Sequence, residues 1–168
     1  LFPIQDLAFR TILMFESRLE KRNITLEGLD SEPVQVWGDP DLIGQVIYNL
    51  FENATKFVNT GGTITFTFKD EPNNTSIAIR NTGAGISKEE LPKIFERFYK
   101  SDDSRSHDKT GLGIGLDITK HIVRLHKAQI SVSSEEGEYT EFLIRLPKKD
   151  APAESPTENP EKQPKDAR

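Results

Sequence analysis

Apolar and polar residues repeat along this chain with a period that switches between helical and strand-like, and the switches mark the elements. Over Gln5 to Arg22, Leu7, Ile12, Phe15 and Leu19 fall near one side of a helical wheel and predict an amphipathic helix. Thr25 to Glu27 and Val34 to Trp37 are short strand candidates. Asp39 before Pro40 is an N-cap followed by proline at the first helical position, which predicts a helix from Pro40 to about Val58. Leu42, Ile43, Val46, Ile47, Leu50, Ala54 and Phe57 give that helix a broad apolar arc.

The period then shortens. Gly61-Gly62 punctuates, Thr63 to Lys69 alternates as a strand, Asn73-Asn74 makes a turn, and Ser76 to Arg80 is the partner strand. Ser87 with Glu90 is a capping box that predicts a short helix through Phe95. Lys100 to Thr110 is polar and patternless. Gly113 to His126 reads as a helix with Ile114, Ile118, Ile122 and Leu125 as its apolar stripe, and Gln129 to Ser133 with Tyr139 to Leu146 as a closing hairpin. These elements predict an α/β (α+β) two-layer sandwich, with three helices on one face of a mixed, mostly antiparallel sheet.

Composition sharpens this picture. Residues 1–149 are expected to form one domain. Residues 150–168, with Pro152, Pro156, Pro160 and Pro164 spaced among charged residues, are expected to be a disordered polar tail, since nothing there can offset ordering entropy by burial. A net charge of −5 argues against a nucleic-acid surface. Cysteine is absent, which excludes disulfides and thiolate metal sites. No apolar run approaches the ~20 residues of a membrane span. The chain begins with Leu1, so it is expected to be part of a longer protein, and any membrane segment is expected upstream.

The candidate chemistry begins on the helix from Pro40. Asn49, Asn53 and Lys56 are spaced four and three apart and share one side of it, at the edge of the apolar arc. Two asparagines satisfied by backbone groups and a solvated lysine would account for this stripe. So would a Mg²⁺-phosphate site, because amide oxygens suit a hard cation that keeps few protein ligands, and a lysine adds a point charge for phosphate. Two glycine clusters follow, Gly83-Ala84-Gly85 after a strand and Gly111-Leu112-Gly113-Ile114-Gly115 at a helix start. The second has neither dinucleotide nor P-loop spacing. Glycine at a helix start nevertheless lets backbone N–H groups approach phosphate. Between them, Phe95-Glu96-Arg97-Phe98-Tyr99-Lys100 could supply core aromatics and a surface ion pair, or one wall of a site closed by the polar segment after it.

In order, Asn49-Leu-Phe-Glu-Asn53-Ala-Thr-Lys56-Phe57, Asn81-x-Gly83-x-Gly85-Ile86, Phe95-Glu-Arg-Phe98-Tyr99 and Gly111-Leu-Gly113-Ile-Gly115-Leu116 resemble the N, G1, F and G2 boxes of sensor histidine kinases. Thr140-Glu-Phe142 with Leu146-Pro147 is similar to that family's closing strand, and the resemblance covers roughly residues 1–147. It implies the ATP-binding catalytic domain of a two-component kinase, on the fold shared with gyrase and heat-shock chaperone ATPases. ATP would be the substrate and Mg²⁺ the cofactor, and Lys100 to Thr110 an ATP lid.

The resemblance also implies roles. Asn53 would ligate Mg²⁺, Asn49 would support the phosphate and metal site, and Lys56 would contact phosphate. Phe57 would pack on adenine and Asn81 would read its amino group, in a pocket shaped by Gly83, Gly85 and Ile86. Arg97, with Lys109, Thr110, Gly111, Leu112, Gly113 and Gly115, would hold the phosphates, Phe98 would belong to the ATP site, and Leu116 and Thr140 would line the base site. Asn53, Lys56 and Arg97 would carry catalysis. Partners would be an upstream dimerisation domain bearing the phosphoacceptor histidine, and a response-regulator receiver domain. The whole protein would be a homodimer anchored in the plasma membrane with this domain in the cytoplasm, and the chain alone a monomer.

The chain departs from the family pattern twice. Asn81 stands where the G1 box usually has Asp, and an amide that can turn over predicts poorer discrimination between adenine and guanine. Tyr139 stands where the closing strand usually has a second glycine. Related ATP hydrolases and serine kinases place Glu four residues before the metal-binding Asn. Asn49 stands there instead, and Glu52 is on a different face, which disfavours water activation. A module that binds nucleotide without catalysis has only Asn81 in its favour. None of His107, His121 and His126 matches the family's phosphoacceptor pattern.

Overall fold

A computed structural model describes residues 1–99 and 114–149. The chain opens with a two-residue strand β1 (Phe2–Pro3) and helix α1 (Ile4–Lys21), followed by β2 (Thr25–Glu27) and β3 (Gln35–Val36). Helix α2 (Pro40–Phe57) leads into strands β4 (Thr63–Asp70) and β5 (Asn74–Thr82). Helix α3 (Gly115–Leu125) and the hairpin of β6 (Gln129–Glu135) and β7 (Tyr139–Pro147) complete the described chain.

Five strands form one sheet in the order β2-β4-β5-β7-β6. Only the β2–β4 pair is parallel, so the sheet is mixed and mostly antiparallel, while β1 and β3 make a separate two-stranded patch. Strand alternation sets the core. Ile64, Phe66 and Phe68, then Ile77 and Ile79, then Phe142, Ile144 and Leu146 point to the helix side and are buried. The helices thus cover one face, as the pattern predicted.

Helix α2 sits centrally, against α1, α3 and β5. The Asp39 carboxylate accepts from the Asp41 and Leu42 amides at 2.9 and 3.1 Å, the predicted cap. The other end is held by Arg22, whose guanidinium donates to the carbonyls of Thr55 and Val58. A cation there also opposes the negative end of the helix dipole. Because α2 is packed on several sides, its apolar arc is wider than predicted. Phe51 is fully buried, with ring centroids 5.4 Å from Phe15 and 5.5 Å from Phe66. Leu42, in the first turn, is exposed.

Three local expectations change. Ser87 and Glu90 do make the capping contact, with the Glu90 amide donating to Ser87 Oγ at 3.3 Å, but the next element is a 3₁₀ turn at Leu91–Lys93 rather than an α-helix. Pro92 has no amide hydrogen to extend an α ladder. On α3 the buried residues are Thr119, Ile122 and Val123, whereas Ile118 is partly exposed and Leu125 faces solvent at 73% exposure. Strand β5 extends beyond the predicted Ser76 to Arg80 because β4 and β7 pair with it along its length. The predicted lid over Lys100 to Thr110, the start of the last helix at Gly113 and the tail over 150–168 lie outside the described residues.

Candidate functional site

The N-box stripe separates into residues with different occupations. Asn49 is buried and fully engaged. Its Oδ1 accepts from Gln45 at 2.8 Å, and its Nδ2 donates to the Gly115 carbonyl at 3.0 Å and to Thr119 Oγ1 at 3.2 Å. It therefore fixes the start of α3 against α2. Asn53, one turn further on, is half-buried, and its amide makes no hydrogen bond among the described residues. Lys56 lies 3.9 Å from Glu52, an i,i+4 pair on the α2 surface, and Phe57 is half-buried. The two asparagines that sequence spacing places together thus differ. One is committed to architecture, and the other is available as an oxygen ligand.

The G1 box is built by backbone stitching. Gly83 bridges to Val58. Its φ is +149°, and a methyl carbon added to it would fall 2.3 Å from the Phe57 carbonyl oxygen, so only glycine fits. A methyl on Gly85 (φ +73°) would lie 2.2 Å from the Glu135 carbonyl oxygen. The Gly83 amide donates to the Glu138 carbonyl at 3.2 Å and the Gly137 amide to the Ala84 carbonyl at 2.6 Å, so this loop is tied to the β6–β7 turn. Tyr139 is accommodated there because Gly137 takes the positive φ and the Arg80 guanidinium covers the tyrosine ring at 3.7 Å.

Asn81 is buried at 4% exposure on β5, directly opposite Thr140 on β7, which is buried as well. Its Nδ2 donates to the Thr82 carbonyl at 3.0 Å. Ile86 is half-buried, and its amide donates to Ser134 Oγ at 2.8 Å. Sequence reasoning passes over Ser134. Its only signal is position, six residues before Thr140, and the contact emerges once β6 and β7 are paired.

The F box divides as well. Phe95 packs edge-on against Phe142 with centroids 6.2 Å apart, and the Tyr99 hydroxyl donates to Glu90 at 3.1 Å. Both therefore serve the core side. Phe98 is exposed at a φ of +64°. Arg97 reaches to 3.9 Å from Asp117 in the first turn of α3 and lies over the Phe98 ring. Asp117 lowers the anion affinity of that helix start, and Arg97 offsets it. Leu116 is half-buried against the core beside Gly115. Lys109, Thr110, Gly111, Leu112 and Gly113 lie outside the described residues. Asn49, Gly115 and Thr119 are brought together by α2 and α3, and Asn81, Ile86 and Thr140 by the sheet. Grooves along α1, lined in part by Arg18, Tyr48 and Glu52 and by Ile12, Leu19 and Leu26, meet the boxes only at Glu52 and include none of the candidate site residues.

The family model for histidine kinase-, DNA gyrase B- and HSP90-like ATPases matches residues 38–150, which include every box. The chain belongs to this ATPase family. The sensor protein SrrB of Staphylococcus aureus is 41% identical over 115 residues, which is 68% of this chain. The chain spans about a fifth of the length of the curated relatives it matches. The catalytic domain of histidine kinase ThkA superposes with a TM-score of 0.74 at 28% identity, over 87% of this chain and 93% of that one. The mycobacterial sensor histidine kinase MprB does so with a TM-score of 0.70 at 26% identity, over 86% and 95%. Membership makes this an ATP-binding domain.

Proposed function

We propose that this chain is the catalytic domain of a two-component sensor histidine kinase, and that it transfers the γ-phosphoryl group of ATP to a histidine on a separate dimerisation domain. The observation that carries this reading is the saturation of Asn49. Within this ATPase family a hydrolase needs a base near the metal-binding asparagine to activate water. Here the residue one turn before Asn53 is an amide with its oxygen and nitrogen already bonded to Gln45, Gly115 and Thr119, and Glu52 pairs with Lys56. An enzyme built this way positions ATP and neutralises its charge, and takes its nucleophile from elsewhere.

The chain's own histidines support an external acceptor. His126 has both ring nitrogens occupied: Nε2 accepts from the Asp39 amide at 3.1 Å, and Nδ1 lies 2.9 Å from the Ile122 carbonyl. His121 sits on the surface of α3 beside Asp117. His107 lies outside the described residues.

Mg²⁺ fits the residues present. No group of three or more His, Asp or Glu side chains that could hold a metal occurs among the described residues, but Mg²⁺ needs few protein ligands when phosphates supply the others. The unbonded amide of Asn53 suits that role, and the ion would neutralise phosphate charge. Lys56 would contact phosphate, and Arg97 would add positive charge near the start of α3. The response-regulator partner is supported by the crystal structure of histidine kinase ThkA in complex with the response regulator protein TrrA, which matches this chain with a TM-score of 0.71 at 26% identity. The domain is assigned to the cytoplasmic side of a membrane-anchored homodimer. No helix among the described residues is long and apolar enough to cross a membrane.

The test uses ATP labelled at the γ-phosphate. The chain should bind ATP with Mg²⁺ and not label itself. Adding the histidine-bearing domain should produce acid-labile label on that domain. Acid-labile label on the chain alone would place the acceptor among its three histidines and overturn the assignment.

A further inference from the structure

Ser134, Thr140, Asn81 and Ile64 form one row across β6, β7, β5 and β4, each directly opposite the next. The row crosses the helix-covered face beside the G1 box, and counting its hydrogens fixes what it offers a ligand. A hydroxyl has one hydrogen and two lone pairs. Ser134 Oγ lies 2.6 Å from the Tyr139 carbonyl oxygen, which can only accept, so the serine hydrogen goes there. One serine lone pair takes the Ile86 amide at 2.8 Å. The remaining contact, 3.0 Å to Thr140 Oγ1, needs a hydrogen, and only threonine can supply it. Thr140 is thereby left with lone pairs alone. On the neighbouring strand, Asn81 gives one Nδ2 hydrogen to the Thr82 carbonyl. Turning that amide over would set Oδ1 against a carbonyl oxygen, so Oδ1 keeps its place as an acceptor for a ligand, beside the second Nδ2 hydrogen.

From this inventory we infer that Ser134 is a positioning residue for nucleotide selectivity: by committing its whole hydrogen-bonding capacity to Ile86, Tyr139 and Thr140, it makes Thr140 an acceptor beside the acceptor of Asn81, and the pair selects a base edge that donates. The inference rests on the ATP reading above and deepens it. The 6-amino group of adenine donates, whereas the 6-oxo group of hypoxanthine or guanine would meet oxygen lone pairs. The expectation of poor discrimination, based on an amide free to turn over, is thus reversed. An unpaired buried polar group discriminates strongly, and here the Thr140 hydrogen is already spent and Oδ1 of Asn81 cannot trade places with its nitrogen.

The experiment is displacement of a fluorescent ATP analogue from the whole chain by ATP and by inosine triphosphate, which differs at the C6 edge. Wild type should prefer ATP by about tenfold or more. Ser134→Ala frees the threonine hydrogen to meet an oxo group, so the preference should fall by about fivefold or more. In a Thr140→Val background, Ser134→Ala should leave the preference unchanged, because there is no hydroxyl left to orient. An unaltered preference in Ser134→Ala, or parallel loss of both nucleotides, would reduce Ser134 to a structural residue and overturn the inference. If Ser134→Ala no longer unfolds cooperatively, Thr140→Ser and Thr140→Val decide. The serine variant must keep the preference and the valine variant lose it, and any other pattern overturns the inference. Failure of wild type to bind either nucleotide would instead sink the ATP reading itself.

Discussion

Asn49 on α2 donates an amide hydrogen to the carbonyl of Gly115, the first residue of α3, at 3.0 Å. The bond crosses 66 residues of sequence and fixes where the glycine-rich helix start lies relative to Asn53. Gln45 takes the oxygen of Asn49 and Thr119 its other hydrogen, which together hold the amide in that orientation. Asn49→Ala should therefore lower stability by about 1–3 kcal/mol, since it strands buried polar partners on two helices. Nucleotide affinity should fall with it, because the helix start is no longer held in place. Urea unfolding beside an ATP titration checks both, and a stable variant with normal affinity would remove Asn49 from the site's architecture.

Asn53 should behave in the opposite way. Its amide has no partner to strand among the described residues, so Asn53→Ala should leave unfolding within about 0.5 kcal/mol of wild type. It should abolish the Mg²⁺-dependent part of ATP binding. Calorimetric titration with and without Mg²⁺ would show this, and an unchanged Mg²⁺ dependence would take Asn53 out of the metal site.

The box glycines divide by cause. Gly83 and Gly85 have positive φ and backbone atoms where a methyl would sit, so alanine at either should destabilise the chain by more than about 1 kcal/mol. At Gly115 a methyl would meet only Asn49 side-chain atoms at 3.8 Å or more, which is ordinary contact. Gly115→Ala should unfold like wild type. If glycine is required there so that phosphate can come close, ATP affinity alone should drop. Thermal unfolding of the three variants together with ATP titration separates the cases. Marked destabilisation by Gly115→Ala would mean the fold, not the ligand, demands that glycine.

How far the sequence can be read depends on what each feature rests on. Asp39 and Pro40 start α2 through contacts with the next residues, so the cap is visible in the chain. The boxes are legible because glycine and amide chemistry at fixed spacing has few other uses. The buried stripe on α3 differs from the predicted one, since which side of a short helix is buried depends on its neighbours. Thr119 is buried where it meets Asn49, whereas Leu125, in the last turn, faces solvent. The helix expected after Ser87 stops at a 3₁₀ turn because Pro92 cannot donate.

The sequence by itself determined the alternation of helices and strands, the family, and the residue types available for a nucleotide, because these depend on periodicity and local chemistry. Tertiary structure decided the occupation of each residue. Asn49 and Asn53 are the same amide one turn apart, and the approach of α3 takes both Nδ2 hydrogens of the first and leaves the second without a partner among the described residues. Asn81 is held by the carbonyl of its neighbour Thr82, and only the pairing of β5 with β7 sets it opposite Thr140. Ser134 acquires a role only when β6 lies beside β7. Hydrogen-bond inventories close over partners distant in sequence, and no local pattern can show which donors and acceptors are left for a ligand.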